Sequence, residues 1–519
     1  MDKKKKLSSV MAMILAITVC ASSMPPSTDG AVFGIVSVSA EENGNSNNGQ
    51  NGQEQNNSNN GNSSEQNNSN NGNSSGQNSS DNENGSENNL NQNNSEDEEK
   101  INLIKVQSAS TSGDGWEFDD STGTLTVTTN TGTTSWQDDG TVMPDSIKLV
   151  IIENGVTEIG SSAFYGCESL ASVTIPSSVK SIGESAFSKC RNLGSVVIPD
   201  GITTIENYTF ADCTSLCSVS IPKSVTTIKE RAFYFCTQLG SVTLPENLTS
   251  IETYAFWGCG LTSVVIPDSV TFIGRRAFAE MPSLNSVTIG NGVTTIDEYA
   301  FTLSGLKSIV IGDNVTSIGE FAFSGCFDLE SVTIGSGLTN VGKGVFHNCD
   351  KITSIVIPDN VTEIGIYAFA NCTNLNSVTM SKNVTSIKDG AFMYSGLKSV
   401  TIGENVTSIG DEAFNNCSKL ESITIGSGVT TVGTDAFKNC NNVKTVINGS
   451  SAIADQLPAA SEAILTYESD GNGGIKITKA TLGDTVTTYD IPSTINGKPV
   501  TVIGSSLFMG NKNLVSVTI

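Results

Sequence analysis

From residue 164 to residue 437 the apolar positions of the chain recur with one spacing. Within a single unit Leu170, Val173, Ile175, Val179, Ile182, Ala186, Phe187 and Cys190 are apolar or small, and the positions between them are mostly polar. The segment LASVTI, residues 170–175, has the alternation and β-branched content that predict a strand. Pro176 ends it, VKSI has the makings of a second short strand, and GESAF turns the chain back through either one helical turn or a tight bend.

Aligned on their phenylalanines, thirteen copies of this unit run from Phe164 to Phe437 at intervals of 22 or 23 residues. A period of that length marks a solenoid, because one unit cannot bury its apolar face alone. Stacked copies can, with each Phe resting on the Phe of its neighbours at about 2 to 3 kcal/mol of transfer energy per buried ring. Three intervals are short because CxxL becomes GL, at Gly260-Leu261, Gly305-Leu306 and Gly396-Leu397. The deletion falls in a turn, where the core register is expected to survive it.

The pattern L-x-S-V-x-I-P-x-x-V-T-x-I-G-x-x-A-F-x-x-C resembles the BspA-type leucine-rich repeats of bacterial surface proteins. It runs almost unbroken from residue 147 to 447 and restarts near the end. Two features depart from the commonest leucine-rich pattern: Val179 follows Ile175 by four positions, and Ser, Asn or Gly stands where a strict asparagine ladder would run. The resemblance implies a leucine-rich-repeat solenoid, a right-handed and β-rich superhelix with short helical turns. It also implies an exported adhesion or recognition protein whose partner is a host or matrix protein or a neighbouring cell surface.

The flanks divide the rest of the chain. Residues 1–40 read as a cleaved export signal: Lys3 to Lys6 are basic, Val10 to Ser23 are apolar but too few to span a bilayer comfortably, and Ala40 closes a small-residue VSA before Glu41. Residues 41–100 read as a disordered tether of Asn, Ser, Gly and Glu with too little apolar surface to offset the entropy of ordering. Residues 101–150 read as a hairpin cap, with Trp116 and Trp136 available to cover the first rung, since a solenoid needs a lid. The array occupies 151–447. Residues 448–519 hold an interruption with a hairpin and a return of the repeat at Phe508, and the stop at Ile519 in mid-strand predicts a truncated product or an excerpt.

Composition narrows the function. The net charge of −25 gives no electrostatic reason to bind nucleic acid or anionic membrane. With His347 the single histidine, and no GxSxG, HExxH or phosphate-binding GxxxxGK[ST] motif, no catalysis, cofactor or metal is expected. No membrane insertion is expected after signal cleavage. Ten cysteines fall three residues after a repeat Phe. In-register thiols pointing the same way fit disulfide geometry poorly, so a ladder of buried free thiols is expected. The serines that open the strands, from Ser172 to Ser422, are too uniform to select a ligand.

The positions that vary carry more information. Two residues before each Phe the middle of the array reads Tyr208, Arg231, Tyr254, Arg276, Tyr299, Phe321, Gly344 and Tyr367, with Trp257, Tyr234 and Phe235 close in sequence. Stacked on successive rungs this is an aromatic and guanidinium stripe. It either packs on itself through cation-π contacts or forms a recognition strip, since Tyr, Trp and Arg anchor interfaces. The expected function is adhesion or protein recognition at the surface of a bacterium or after secretion. The alternatives are a polysaccharide-binding or glycan-binding module, since planar rings suit sugars, and the non-catalytic part of a larger cell-wall enzyme.

Overall fold

The computed structural model describes residues 110–519 apart from Asp139. The expected signal segment and tether lie outside the described residues. Each repeat forms one rung, and three hydrogen-bonded ladders join successive rungs.

The first ladder is built from the predicted LASVTI-type strands. Leu149–Ile152, Ser172–Thr174, Ser195–Val197 and Ser218–Ser220 run parallel, Ser218 opposite Ser195 and Val219 opposite Val196. Alternation sends Val173 and Val196 into the core and leaves Thr174 and Val197 outside. The second ladder is made of two-residue strands such as Thr204–Ile205, Thr227–Ile228 and Ser250–Ile251, also parallel and in register. Beside it, asparagines reach across rungs where the sequence offers them, Asn314 to the Asn291 carbonyl and Asn383 to the Asp359 carbonyl, both at 2.8 Å.

The third ladder lies in the GESAF segments, which adopt the tight-bend alternative. Helical geometry among the described residues is confined to Gly132–Ser135, Pro144–Ser146 and Ser451–Gln456. In the bend, the residues two before and two after each Phe have positive φ, for example 58° at Ser185 and 62° at Lys189. This handedness turns alternate N–H groups along the solenoid. Ser185, Phe187 and Lys189 donate to Asn207, Thr209 and Ala211 of the next rung at 2.7 to 2.9 Å. Ala186 and Ser188 between them donate three residues back within their own rung.

Inside the bends the phenylalanines form one column. From Phe164 to Phe437 adjacent ring centroids are 5.1 to 5.6 Å apart and the rings are nearly parallel. Trp136 ends the column, 6.4 Å from Phe164, and its indole N–H donates to the Ala163 carbonyl. Ahead of the parallel array, Ser110–Gly113, Trp116–Asp119 and Thr124–Val127 form an antiparallel trio, and the last strand pairs parallel with Leu149–Ile152.

Beside the rings runs the thiol column. Ten cysteines are buried and free. Nine of them donate their thiol to the carbonyl oxygen of the Phe one rung earlier, at 3.0 to 3.3 Å. Ser304 and Ser395, which replace Cys in two rungs, keep the column polar by meeting the thiols of Cys326 and Cys417.

The three one-residue deletions leave the Phe column intact, with 5.4, 5.3 and 5.3 Å across them. The first ladder is interrupted or thinned at all three, as it also is between Ser331–Ile334 and Ser354–Val356, where no residue is lost. The shortened turn drops onto the preceding rung so closely that a Cβ at Gly260, Gly305 or Gly396 would lie 2.1 to 2.2 Å from a carbonyl oxygen. Only glycine fits there. Across the second deletion the strands keep a single paired position, Ser286 with Ser308. Across the third, Ser377–Thr379 and Ser399–Ile402 belong to different sheets, and across the first Ser241–Leu244 forms no strand.

At the end of the array Ala463–Ser469 pairs parallel with Thr445–Asn448 and then folds back on Ile475–Leu482 as a hairpin. A second apolar cluster forms behind it from Leu465, Ile475, Ile477, Ile491, Ile495 and Leu507. The returning repeat regains its left-handed corner at Ser506, but Phe508 is only partly buried and packs against Tyr489.

Candidate functional site

The stripe residues sit on the left-handed corner of the bend, two before each Phe. Tyr208, Arg231, Tyr254, Arg276, Tyr299, Phe321 and Tyr367 all have φ between 53° and 57°. For bulky L-residues this region is unfavourable, by roughly 1 to 2 kcal/mol each, because Cβ crowds the following carbonyl. Gly344 and Gly390 hold the same corner in other rungs at 60° and 58°.

Tyr208 to Phe321 form one continuous run. The Arg231 guanidinium lies 5.3 Å from the Tyr208 ring and 4.6 Å from the Tyr254 ring. Arg276 lies 5.9 Å from Tyr254 and 4.8 Å from Tyr299, and Tyr299 stacks on Phe321 at 5.5 Å. All six are half-buried. The faces of Tyr254 and Tyr299 are taken by their neighbours, so there the outward surface consists largely of ring edges, hydroxyls and guanidinium N–H groups. Arg231 also donates to the Tyr208 hydroxyl and pairs with Glu230 at 2.8 Å.

Trp257 stands outside this column. It lies one residue after its Phe, stacked on Tyr234 at 4.8 Å and against Phe235 at 5.8 Å, while Tyr234 meets Tyr254 edge-on at 6.4 Å. The aromatic cluster therefore spans three columns over the rungs of Phe233 and Phe256. Burial pushes the Tyr234 phenol up. The indole N–H of Trp257 and the Nε of Arg276 are buried without a hydrogen-bond partner.

Tyr367 is not joined to the run. Phe321 leans over Gly344 and closes the run there, and Tyr367 leans over Gly390 in the same way. Three residues outside the predicted stripe extend the run: Arg275 lies 6.0 Å from Tyr299, Lys343 5.6 Å from Phe321, and His347 meets Phe321 edge-on at 6.0 Å. They sit one residue before the corner or three residues after it, so reading the neighbouring columns of the repeat alignment would have found them.

His347 does not form a catalytic constellation with its contacts. Its Nδ1 lies 3.4 Å from the Ser324 hydroxyl, but Nε2 faces the Asn371 amide rather than a carboxylate, and burial lowers the imidazole pKa.

A family model described as the BspA type leucine-rich repeat region matches residues 143–262, 232–352 and 339–456. Among solved structures, a leucine-rich cell surface protein from Faecalibacterium prausnitzii A2-165 is 28% identical, with 65% of this chain and 94% of that chain covered and a TM-score of 0.38. A leucine-rich repeat protein from Bacteroides ovatus is 24% identical, with 66% and 94% covered and a TM-score of 0.40. The pneumococcal vaccine antigen PcpA is 16% identical, with 68% and 92% covered and a TM-score of 0.35. Among curated proteins no sequence matches the chain.

Proposed function

The chain belongs to the BspA-type leucine-rich repeat family, and we propose that it is a non-enzymatic recognition protein, exported to a bacterial surface, that engages a macromolecular partner through the run from Tyr208 to Phe321. The observation that carries this reading is the choice of residue at the left-handed corner. Glycine serves that corner at residues 344 and 390, yet six consecutive rungs place Tyr, Arg or Phe there against the backbone preference. Packing on one another offsets part of that strain.

Two further features agree. Buried polar atoms without partners are uncommon in folded proteins, and two of the four found among the described side chains, on Trp257 and Arg276, lie within this cluster. Tyr, Trp and Arg are also the residues that dominate interface energies.

Stacking on a sugar needs an open ring face, and at Tyr254 and Tyr299, in the middle of the run, the faces are occupied by guanidinium or by another ring. A protein partner that meets edges, hydroxyls and guanidinium groups with its own carboxylates and carbonyls fits better. Adhesion to a host or matrix protein or to a neighbouring cell follows as the physiological reading.

The test is binding of the full chain to a panel of matrix proteins, mucins, glycans and bacterial cells, beside a variant with Tyr208, Arg231, Tyr254, Arg276 and Tyr299 changed to Ala. Loss of protein binding in a variant that still melts cooperatively supports the proposal. Unchanged binding returns the run to packing, and binding to glycans alone transfers the site to the carbohydrate reading.

A further inference from the structure

Each strand of a parallel sheet offers N–H and C=O groups on both edges, and a buried or half-buried strand normally has them paired. Ser241–Leu244 departs from this. Its residues differ from the SVTI-P that forms a strand at Ser172–Thr174 only by Leu244 in place of Ile, yet no main-chain N–H or C=O of these four residues bonds to another part of the described chain. The rungs on either side are joined just before the split, where Thr262 N–H donates to the Gly240 carbonyl at 3.1 Å. They rejoin after it, where Thr271 N–H donates to the Thr249 carbonyl at 3.1 Å. Between these points the two main chains are not bonded to each other.

The split opens into a groove of about 710 Å³. Val242, Val265 and Ile289 supply aliphatic lining, and Val265 is 65% exposed, a large apolar side chain left in solvent. The charged lining residues are Glu246 and Asp268, both acidic. Asp268 accepts the Asn291 N–H, and Glu246 makes a 3.6 Å pair with Lys223 in which both side chains are more than four-fifths exposed. Such a pair holds little energy and leaves the rim negative.

We propose that this split is a docking slot for an extended peptide segment of a partner protein. The segment pairs through its main chain with Ser241–Leu244, rests aliphatic side chains on Val242, Val265 and Ile289, and places a basic residue between Glu246 and Asp268. Strand addition satisfies the free main-chain groups, which a globular surface or a sugar would leave unmatched. The slot lies at the strand end of its rung, apart from the Tyr208 to Phe321 run, so the two sites can fail separately.

The test uses the full chain and a synthetic hexapeptide, Lys-Val-Thr-Val-Thr-Lys, beside two controls, one with alternate amides N-methylated and one with both lysines replaced by Asp. In the free protein the amides of Val242, Thr243 and Leu244 are expected to exchange rapidly while that of Val287 is protected. Saturating peptide is expected to slow those three by about tenfold or more, and each control peptide and the Val265→Lys variant to bind about tenfold more weakly. Melting of Val265→Lys at the native temperature establishes that the variant is folded. Slow exchange at 242–244 without peptide, equal binding of the N-methylated peptide, undiminished binding by Val265→Lys, or no binding of any peptide overturns the proposal. Concentration-dependent protection without peptide also overturns it, assigning the slot to a second copy of the chain.

Discussion

The ring of Phe321 lies over Gly344 of the next rung, in the volume a side chain there would fill: a Cβ on Gly344 would stand 2.2 Å from the nearest ring carbon. The same relation holds between Tyr367 and Gly390, at 2.3 Å. Large rings on the left-handed corner lean toward the following rung, and where that rung offers glycine they fill the space a side chain would take.

Replacing Gly344 with Ala therefore expels the ring and adds the strain of a Cβ at positive φ. The expected cost is about 2 to 4 kcal/mol, the sum of an overpacking and a left-handed contribution. Adding Phe321→Ala should recover the overpacking part. A double-mutant cycle by thermal melting checks it, and additive losses would show that the ring does not depend on the glycine.

The Phe column predicts a larger effect from truncating one of its members. Phe301 stacks 5.5 Å from Phe278 and 5.3 Å from Phe323, and is fully buried. Phe301→Ala should cost about 3 to 5 kcal/mol, from lost transfer energy and the cavity left behind. Because each rung contacts only its neighbours, amide exchange should accelerate most in the rungs on either side. A neutral melt would contradict the column as the main support of the fold.

Burial pushes the thiol pKa up to about 12 at Cys167 and Cys372 and to about 11 at Cys326. The thiolate is the reactive form, so these cysteines should label slowly in the native protein at pH 8 and completely in guanidinium. Peptide mapping of an alkylation time course measures this site by site. Rapid native labelling at these three positions would place them outside the core.

Glu404 ties the array to the terminal hairpin and should make that junction acid-sensitive. Its carboxylate accepts from Ser427 at 2.7 Å, Tyr467 at 3.1 Å and Asn496 at 3.1 Å, and Lys498 lies 3.7 Å away. Burial alone would raise its pKa, but these hydrogen bonds and the nearby ammonium outweigh it and hold the group below its ordinary value of 4.5. A depressed carboxylate stabilises the folded form above its unfolded pKa, and that contribution fades as pH falls below about 4.5 through the folded value. Amide exchange in Ala463–Leu482 should accelerate over that interval in the native chain and become insensitive to it in Glu404→Gln. Equal acid sensitivity in both would assign the effect to other carboxylates.

The local order of residues determined most of the rung. Val173, Ile175, Val179, Ile182, Ala186 and Phe187 are spaced so that one turn of chain buries them on one side, and repetition at 22 or 23 residues leaves stacking as the way to cover that face. The stripe was legible for the same reason, since equal positions in successive repeats must become neighbours. The tertiary structure decided what those neighbours do to one another. Whether the faces of Tyr254 and Tyr299 are open or covered depends on where the guanidinium groups of the adjacent rungs come to rest, and that depends on rotamers selected by contacts some 22 residues away. The split at Ser241–Leu244 is barely marked in its own sequence, where Leu244 replaces the Ile of the strands around it. It coincides with the deletion at Gly260, a change in the neighbouring rung that shifts one main chain against another while the Phe column keeps its spacing. Inward and outward positions are set by dihedral angles that each residue carries with it, whereas pairing and exposure belong to two segments at once.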